Sequence, residues 1–401
     1  MKPLFHHIGD CVINEESYWD GIAAQYDVAP GYVNLEHGYF GAMARPVMEE
    51  YKRQIELLNT SNTYFLREDY DPKSSETVRA RIAAAVGCAP DEIALTRGAT
   101  EALRHLIFSY RPLQAGDTVM LSDVDYDSMT RAMHALRELR GAEVVQIALP
   151  EAPTTQAILD AYAQAFDAHP RTRLLLLTHV SHKTGQLMPV AELAEMARAR
   201  GIDTICDAAQ SWGQIDFKVG DLKSDFAGFN LHKWMGAPLG VGFMYIRKER
   251  LDDIAIDPSG DRYAPHDIRA RTNTGTTNTA NVLTVPAALD FHDAIGGARK
   301  AARLRQLRDR WVDQVRGLSG LQLLVRDEAE ACGGITSFRL AGQTGWEENQ
   351  ALARRLLDDF GVFTVARKGL AGGACVRVTP ALSNRLADLD QLASALKVIA
   401  G

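Results

Sequence analysis

One lysine sits in unusual company. In "DFAGFNLHKWMGAP" (225–238), Lys233 lies in an otherwise apolar, glycine-punctuated run. Burying an ammonium costs its hydration, so such a lysine either carries its head out to water or supplies an amine that chemistry inside the protein needs. A second polar residue in apolar surroundings is Asp207, at the end of "DTICD" (203–207). A carboxylate buried there needs a cationic partner, although Asp207 could equally cap a helix over "AAQSW". Gln210 follows one helical turn later, on the same side.

Five further motifs set polar groups in or beside apolar runs. In "DEIALTRGATEALRHLIFSY" (91–110), a short strand runs into Gly98, Ala99 and Thr100 before a helix. Free backbone N–H groups at such a helix start bind anions, and an ordinary N-cap has the same look. "RLLLLTHVSHKTGQLMPV" (173–190) ends its apolar run in a polar cluster, of which His182 is the favoured ligand-side residue. "MLSDVDYDSMTRAM" (120–133) sets Tyr126 just past a strand end, where it either stacks on a planar ligand or sits at the surface. "RTNTGTTNTANV" (271–282) is a polar loop, either phosphate-wrapping or merely solvated. In "ACVRVTPALSN" (374–384), Arg377 interrupts an apolar strand, as a carboxylate clamp or as an edge-strand salt bridge.

The elements that carry these residues follow from hydrophobic patterning. "TVMLS" (118–122), "EVVQIAL" (143–149), "RLLLLTHV" (173–180), "DTICD", "DFAGF" (225–229) and "GVGFMYI" (240–246) are apolar without clean alternation, as strands buried on both faces are. Amphipathic stretches at 128–141, 154–169 and 190–201 separate them. That order predicts an α/β fold: a mostly parallel, seven-stranded-type sheet sandwiched by helices. Beyond about 286 a long helical stretch breaks at Gly296–Gly297, and short strands mix with two helices in a smaller α+β C-terminal domain. The expected division is an N-terminal segment (1–30) packing on the small domain or the cleft, a large domain (31–290) and a small domain (291–401).

Bulk properties narrow the function. The 401 residues carry a net charge of −7 and no basic tract, which argues against a nucleic-acid partner. The five cysteines, Cys11, Cys88, Cys206, Cys332 and Cys375, form no C-x-x-C pair, so neither a zinc site nor a disulfide framework is expected. No apolar run is long enough to span a membrane, and the first twenty residues lack a secretory pattern, so a cytoplasmic protein is expected. Neither G-x-G-x-x-G nor G-x-x-x-x-G-K-[ST] occurs, which weakens the alternative of a nucleotide-binding or other α/β ligand-binding protein without catalysis.

A lysine amine, a strand-end carboxylate, a helix-start anion site, an aromatic and a late arginine together match the needs of pyridoxal 5'-phosphate. That cofactor takes a Schiff-base lysine, a carboxylate at its ring nitrogen, a phosphate cradle and a wall for its ring. The chain resembles the class V aminotransferase family of fold-type I pyridoxal-phosphate enzymes, from "YVNLEHGYFGAMARPVMEE" (32–50) to "VRVTPALSNRLADLDQL" (376–392). Its N-x-x-H-G-x-F-G segment and "TRGATEA" turn resemble the branch that holds isopenicillin N epimerase-like enzymes, carbon–sulfur lyases and cysteine desulfurase relatives. The resemblance implies Lys233 as the Schiff-base residue and general base, Asp207 on the ring nitrogen and Gln210 on the ring hydroxyl. It places Tyr126 against the ring and His182 beside it, where relatives often carry Asn. It puts Gly98, Ala99, Thr100 and His232 on the phosphate, and Gly275 and Thr276 on the phosphate of a neighbouring subunit in a homodimer. Arg377 would clamp the substrate α-carboxylate, with His37, Tyr39 and Phe40 approaching the substrate. The expected activity is transformation of an amino acid at Cα, foremost transamination, with epimerisation or β-elimination as alternatives. Desulfurases of this family carry a cysteine on a mobile loop, whereas the corresponding "FTVARKGLAGGACVRV" (363–378) has only Cys375, two residues from Arg377.

Overall fold

A computed structural model describes residues 15–401 apart from 274, 327, 329 and 330, so Cys11 and the first part of the N-terminal segment lie outside the described residues. The strands are β1 (Val33–Asn34), β2 (Ile93–Thr96), β3 (Thr118–Ser122), β4 (Glu143–Ile147), β5 (Thr172–Thr178), β6 (Asp203–Asp207), β7 (Phe226–Asn230), β8 (Gly242–Ile246), β9 (Leu321–Leu323), β10 (Thr336–Leu340), β11 (Val362–Phe363), β12 (Val365–Arg367) and β13 (Cys375–Val378). The α-helices are α1 (Glu15–Ala23), α2 (Arg45–Phe65), α3 (Ser75–Val86), α4 (Ala99–Phe108), α5 (Asp127–Arg140), α6 (Thr155–Ala168), α7 (Val190–Arg198), α8 (Thr279–Ile295), α9 (Gly297–Val315), α10 (Trp346–Phe360) and α11 (Leu386–Ala400).

Seven strands form one sheet in the order β2-β8-β7-β6-β5-β3-β4. Only β8 runs antiparallel to its neighbours, so β2 to β7 all point the same way. The inner strands β3 and β7 are buried at every position, as their apolar runs require, while the edge strand β4 is exposed at Glu143 and Gln146 and buried only at Ile147. Side-chain alternation divides the core in two. Leu174, Leu176 and Ile205 meet α4 and α5 on one face, while Leu175, Leu177 and Cys206 meet α3, α6, α7 and α8 on the other. The fold is therefore the expected helix-sandwiched, mostly parallel α/β sheet.

The late strands make a separate antiparallel sheet, β12-β13-β10-β9, with Trp311, Phe338, Leu356 and Leu392 in its core. Gly296, at φ 87°, ends α8 and lets α9 leave in a new direction. The stretch "FTVAR" does not form one strand. Phe363 pairs with Asn34 in a parallel two-stranded ribbon, and after Thr364 the chain changes partner, so that Val365 pairs with Arg377. The early segment thus joins the late one: β1 lies beside β11, and Glu36 bridges Thr379. Helix α1 follows, with Glu16 paired to Arg303 and Trp19 packed among Ile295, Leu304 and Leu382.

A cofactor cleft at the carboxyl edge of the sheet

Because β2 to β7 are co-directional, Gly98, Tyr126, His182, Asp207 and Lys233 all emerge at one end of the sheet, where parallel α/β sheets gather ligands. A cavity of about 970 Å³ opens there, between this edge and the small sheet. It is lined by Gly98, Ala99, Thr100, Tyr126, His182, Asp207, Gln210, His232, Lys233 and Arg377, and by Tyr39.

Asp207 ends β6, and its Oδ1 accepts the Ala209 N–H at 2.9 Å. Burial raises its pKa, opposed by that N–H and by Lys233. Lys233 lies three residues past β7, in a turn closed by Gly236 N–H to the Lys233 carbonyl at 3.1 Å and Ala237 N–H to the Leu231 carbonyl at 3.0 Å. Its backbone leaves no room for a side chain on the segment in front of it: a Cβ on Gly41 would collide with the Lys233 carbonyl. Desolvation, with Asp207 opposing, brings the Lys233 amine down to about 8. Half-buried and facing the cavity, it holds a substantial neutral fraction near physiological pH, as a nucleophile or proton acceptor must.

The phosphate-type site is built by α4. Gly98, at φ 151°, turns the chain into the helix; a Cβ there would lie 2.8 Å from Asn230 Oδ1 and 3.2 Å from His232 Cε1. Asn230 Oδ1 accepts the Ala99 N–H at 2.8 Å and so fixes the helix start against the end of β7. His232 donates Nδ1–H to the Val241 carbonyl at 3.2 Å, and burial followed by Lys233 pulls its pKa to about 4. Tyr126 meets His182 edge-on, with ring centroids 5.0 Å apart. The His182 Nδ1 is buried without a hydrogen-bond partner, and burial drives the imidazole well below its usual pKa.

Gln210 is engaged within the protein: its Nε2 donates to the Gly38 carbonyl and its Oε1 accepts Trp234 Nε1, both at 2.9 Å. Arg377 lies on β13, an inner strand of the small sheet rather than an edge. It donates Nη1–H to the His182 carbonyl at 2.7 Å and Nη2–H to Glu36. Burial pushes the Glu36 carboxyl up, but Arg377 and Arg367 outweigh that and hold it below the usual carboxylate range. His37 faces elsewhere, into a hollow of about 30 Å³ behind Lys233, and burial takes its imidazole to about 4. Phe40 is exposed and touches Tyr39 rather than the cavity. Gly275 and Thr276 are exposed and away from the cavity, although Asn273 reaches it. Glu36, Arg367, Asn230 and Trp234 were missed by motif reading; of these only Asn230, a polar end to an apolar strand, left a local signal.

A family model, "Aminotransferase class-V", matches residues 45–392. The chain belongs to the class V aminotransferase family. Family members are pyridoxal-phosphate enzymes acting at the amino-acid Cα, and so is this protein. Among curated relatives of this class V enzyme, isopenicillin N epimerase of Streptomyces clavuligerus is 29% identical over 400 residues, covering 96% of this chain and 98% of its own. Among solved structures, the apo cysteine desulfurase of Thermococcus onnurineus NA1 superposes with a TM-score of 0.79 at 18% identity, over 95% of this chain and 98% of that one. A structure of the enzyme C-DES with glycine covalently linked to its pyridoxal-phosphate cofactor gives 0.79 at 19% identity, over 93% and 98%. The residues of this class V cleft fit the cofactor. An amine of lowered pKa, a buried carboxylate with its second oxygen uncommitted and a helix start held open by a glycine suit its carbonyl, ring nitrogen and phosphate.

Proposed function

We propose that Lys233 is the proton carrier of an amino-acid aminotransferase, with Asp207 at the ring nitrogen of pyridoxal phosphate and Gly98, Ala99, Thr100 and His232 around its phosphate. The observation that carries this is the convergence of Lys233, the buried carboxylate of Asp207 and the glycine-opened start of α4 on one cavity, where burial also lowers the pKa of the amine. When bound, the cofactor supplies the electron sink that makes the Cα proton acidic and receives the amino group. The chain's own residues do the rest. Lys233 Nζ accepts the Cα proton and holds it on one face. Asp207 keeps a proton at the ring nitrogen, Tyr126 walls the ring, and the arginine corner orients the carboxylate of the substrate.

The geometry argues against cysteine desulfuration. The Cys375 thiol is buried on β13, packed under the Lys183 carbonyl, and burial raises it to about 11. The preceding loop is tied from both sheets: Ala371 N–H donates to Asp123 at 2.8 Å and Lys183 reaches Asp123 and Gly369 on the large-sheet side, while Arg339 of β10 reaches Gly372. Epimerisation is the second reading. It needs a proton donor on the face opposite Lys233, and Tyr126 stands in the cavity with 38% of its surface exposed; a relative named isopenicillin N epimerase spans 96% of the chain. A homodimer, in which the exposed 275–276 turn reaches a neighbour's phosphate, belongs to the same proposal, and sedimentation tests it.

The deciding experiment adds single amino acids to the yellow holoprotein in deuterated water. Transamination converts the bound cofactor to its pyridoxamine form with release of an oxo acid. Epimerisation leaves it unchanged while Cα gains deuterium with inversion. A protein that binds no cofactor and exchanges no Cα proton overturns the proposal.

A further inference from the structure

Two arginines line the cavity, and the one singled out by its strand is the less exposed. Arg377 is 1% exposed, and its two terminal nitrogens are committed to the His182 carbonyl and to Glu36. Arg367, ten positions earlier, lines the same cavity with 27% of its side chain exposed. Antiparallel pairing sets Val365 opposite Arg377 and Arg367 opposite Cys375, which brings both guanidinium groups to the one carboxylate of Glu36. Arg367 spends only Nη2 on that carboxylate, at 3.2 Å, and its Nε is buried without a hydrogen-bond partner. Lys368 lines the cavity beside it, its Nζ 4.9 Å from the Trp346 ring centroid.

The charges in this corner do not balance. Arg367 and Arg377 share the single carboxylate of Glu36 and Lys368 lines the cavity without a carboxylate of its own, whereas the other acids of the cavity are matched: Asp207 by Lys233, Glu101 by Arg97, Asp127 by Lys183. Burial and the neighbouring Arg377 lower the Arg367 pKa to about 10, so it stays charged at neutral pH but under-compensated. An α-carboxylate neutralises one of the two surplus charges and leaves the other. A guanidinium with donors to spare, next to an ammonium on an indole, is suited to a second carboxylate.

We propose that Arg367, supported by Lys368, receives a side-chain carboxylate, so that the substrate class is acidic α-amino acids. This rests on the cavity being an amino-acid site. The test uses the holoprotein and two near-isosteric pairs, L-glutamate with L-glutamine and L-aspartate with L-asparagine, with dissociation constants from calorimetry and the absorption of the bound cofactor. The acidic member of at least one pair is expected to bind about tenfold tighter, the worth of one charge-assisted contact. Arg367→Gln brings that ratio to within about twofold, while Arg367→Lys keeps part of it. Arg377→Gln weakens both members alike. Equal affinities in the unaltered protein overturn the proposal, as does failure of all four to bind a cofactor-loaded protein. So does an equal weakening of both members by Arg367→Gln, which would assign Arg367 to the α-carboxylate. If no cofactor binds at all, the proposed function fails instead.

Discussion

The two walls of the cleft are organised on different principles. On the large-sheet wall, Asp207, Lys233 and the start of α4 are each set by the end of a strand buried on both sides. Their neighbours are backbone groups and fixed side chains, such as the Ala209 amide and Asn230. On the small-sheet wall, Arg367 and Arg377 are set by one another through Glu36, a residue of a different and distant segment. The first wall places reacting atoms rigidly; the second holds charge in a network whose balance a ligand can alter. Damage to the first should therefore appear in the rate of the chemical step, and damage to the second in substrate affinity.

The largest effect should come from Lys233→Ala, which removes the proton acceptor: Cα hydrogen–deuterium exchange followed by NMR should slow about 10²–10⁴-fold. Exchange at the unaltered rate would end the assignment. Asp207→Asn keeps the shape but loses the charge opposite the ring nitrogen, and cofactor affinity measured by dialysis should fall roughly 10²-fold. On the other wall, Gly38→Ala sets a Cβ 2.5 Å from Arg377 Nη2 and must displace the guanidinium. KM should rise about tenfold with kcat nearly constant; a change confined to kcat would erase the distinction between the walls. The smallest effect is a pH dependence. Because the Lys233 amine titrates near 8 and only its neutral form is a nucleophile, capture of pyridoxal phosphate by the apoprotein should speed up with rising pH. Stopped-flow absorbance should show about a fivefold gain from pH 7 to 8 and less than about twofold beyond, whereas an ordinary lysine would keep gaining to near 10.4.

The same contrast governs what was legible in the sequence. Apolar runs such as "TVMLS" and "DTICD" coincide with β3 and β6, and the amphipathic stretch at 128–141 matches α5 to within a residue at each end, because burial on both faces and helical periodicity are local properties. The large-sheet groups were legible for a related reason: co-directional strands bring their ends together, so polar residues after apolar runs converge. The small-sheet wall was not. Arg377 could be picked out, but Glu36 and Arg367 could not, since their pairing depends on β1 joining β11, a partner choice no local pattern encodes. The split of "FTVAR" has the same cause. Gln210, expected on the ring hydroxyl, is held by Gly38 and Trp234, again through the early segment.

That early segment has a consequence for how the enzyme is made. Within residues 33–41 it pairs with β11, donates the Gly38 N–H to Thr379 Oγ1 across 341 positions of chain, and donates the Gly41 N–H to the carbonyl of His232, next to the reactive lysine. Residues 33–41 therefore leave the ribosome well ahead of the partners they dock on and have to wait for them. At ordinary synthesis rates that wait is on the order of half a minute. The seven-stranded sheet can form in the meantime, but the arginine corner cannot, so the nascent protein has a lysine and a carboxylate in place before it has anywhere to hold a substrate.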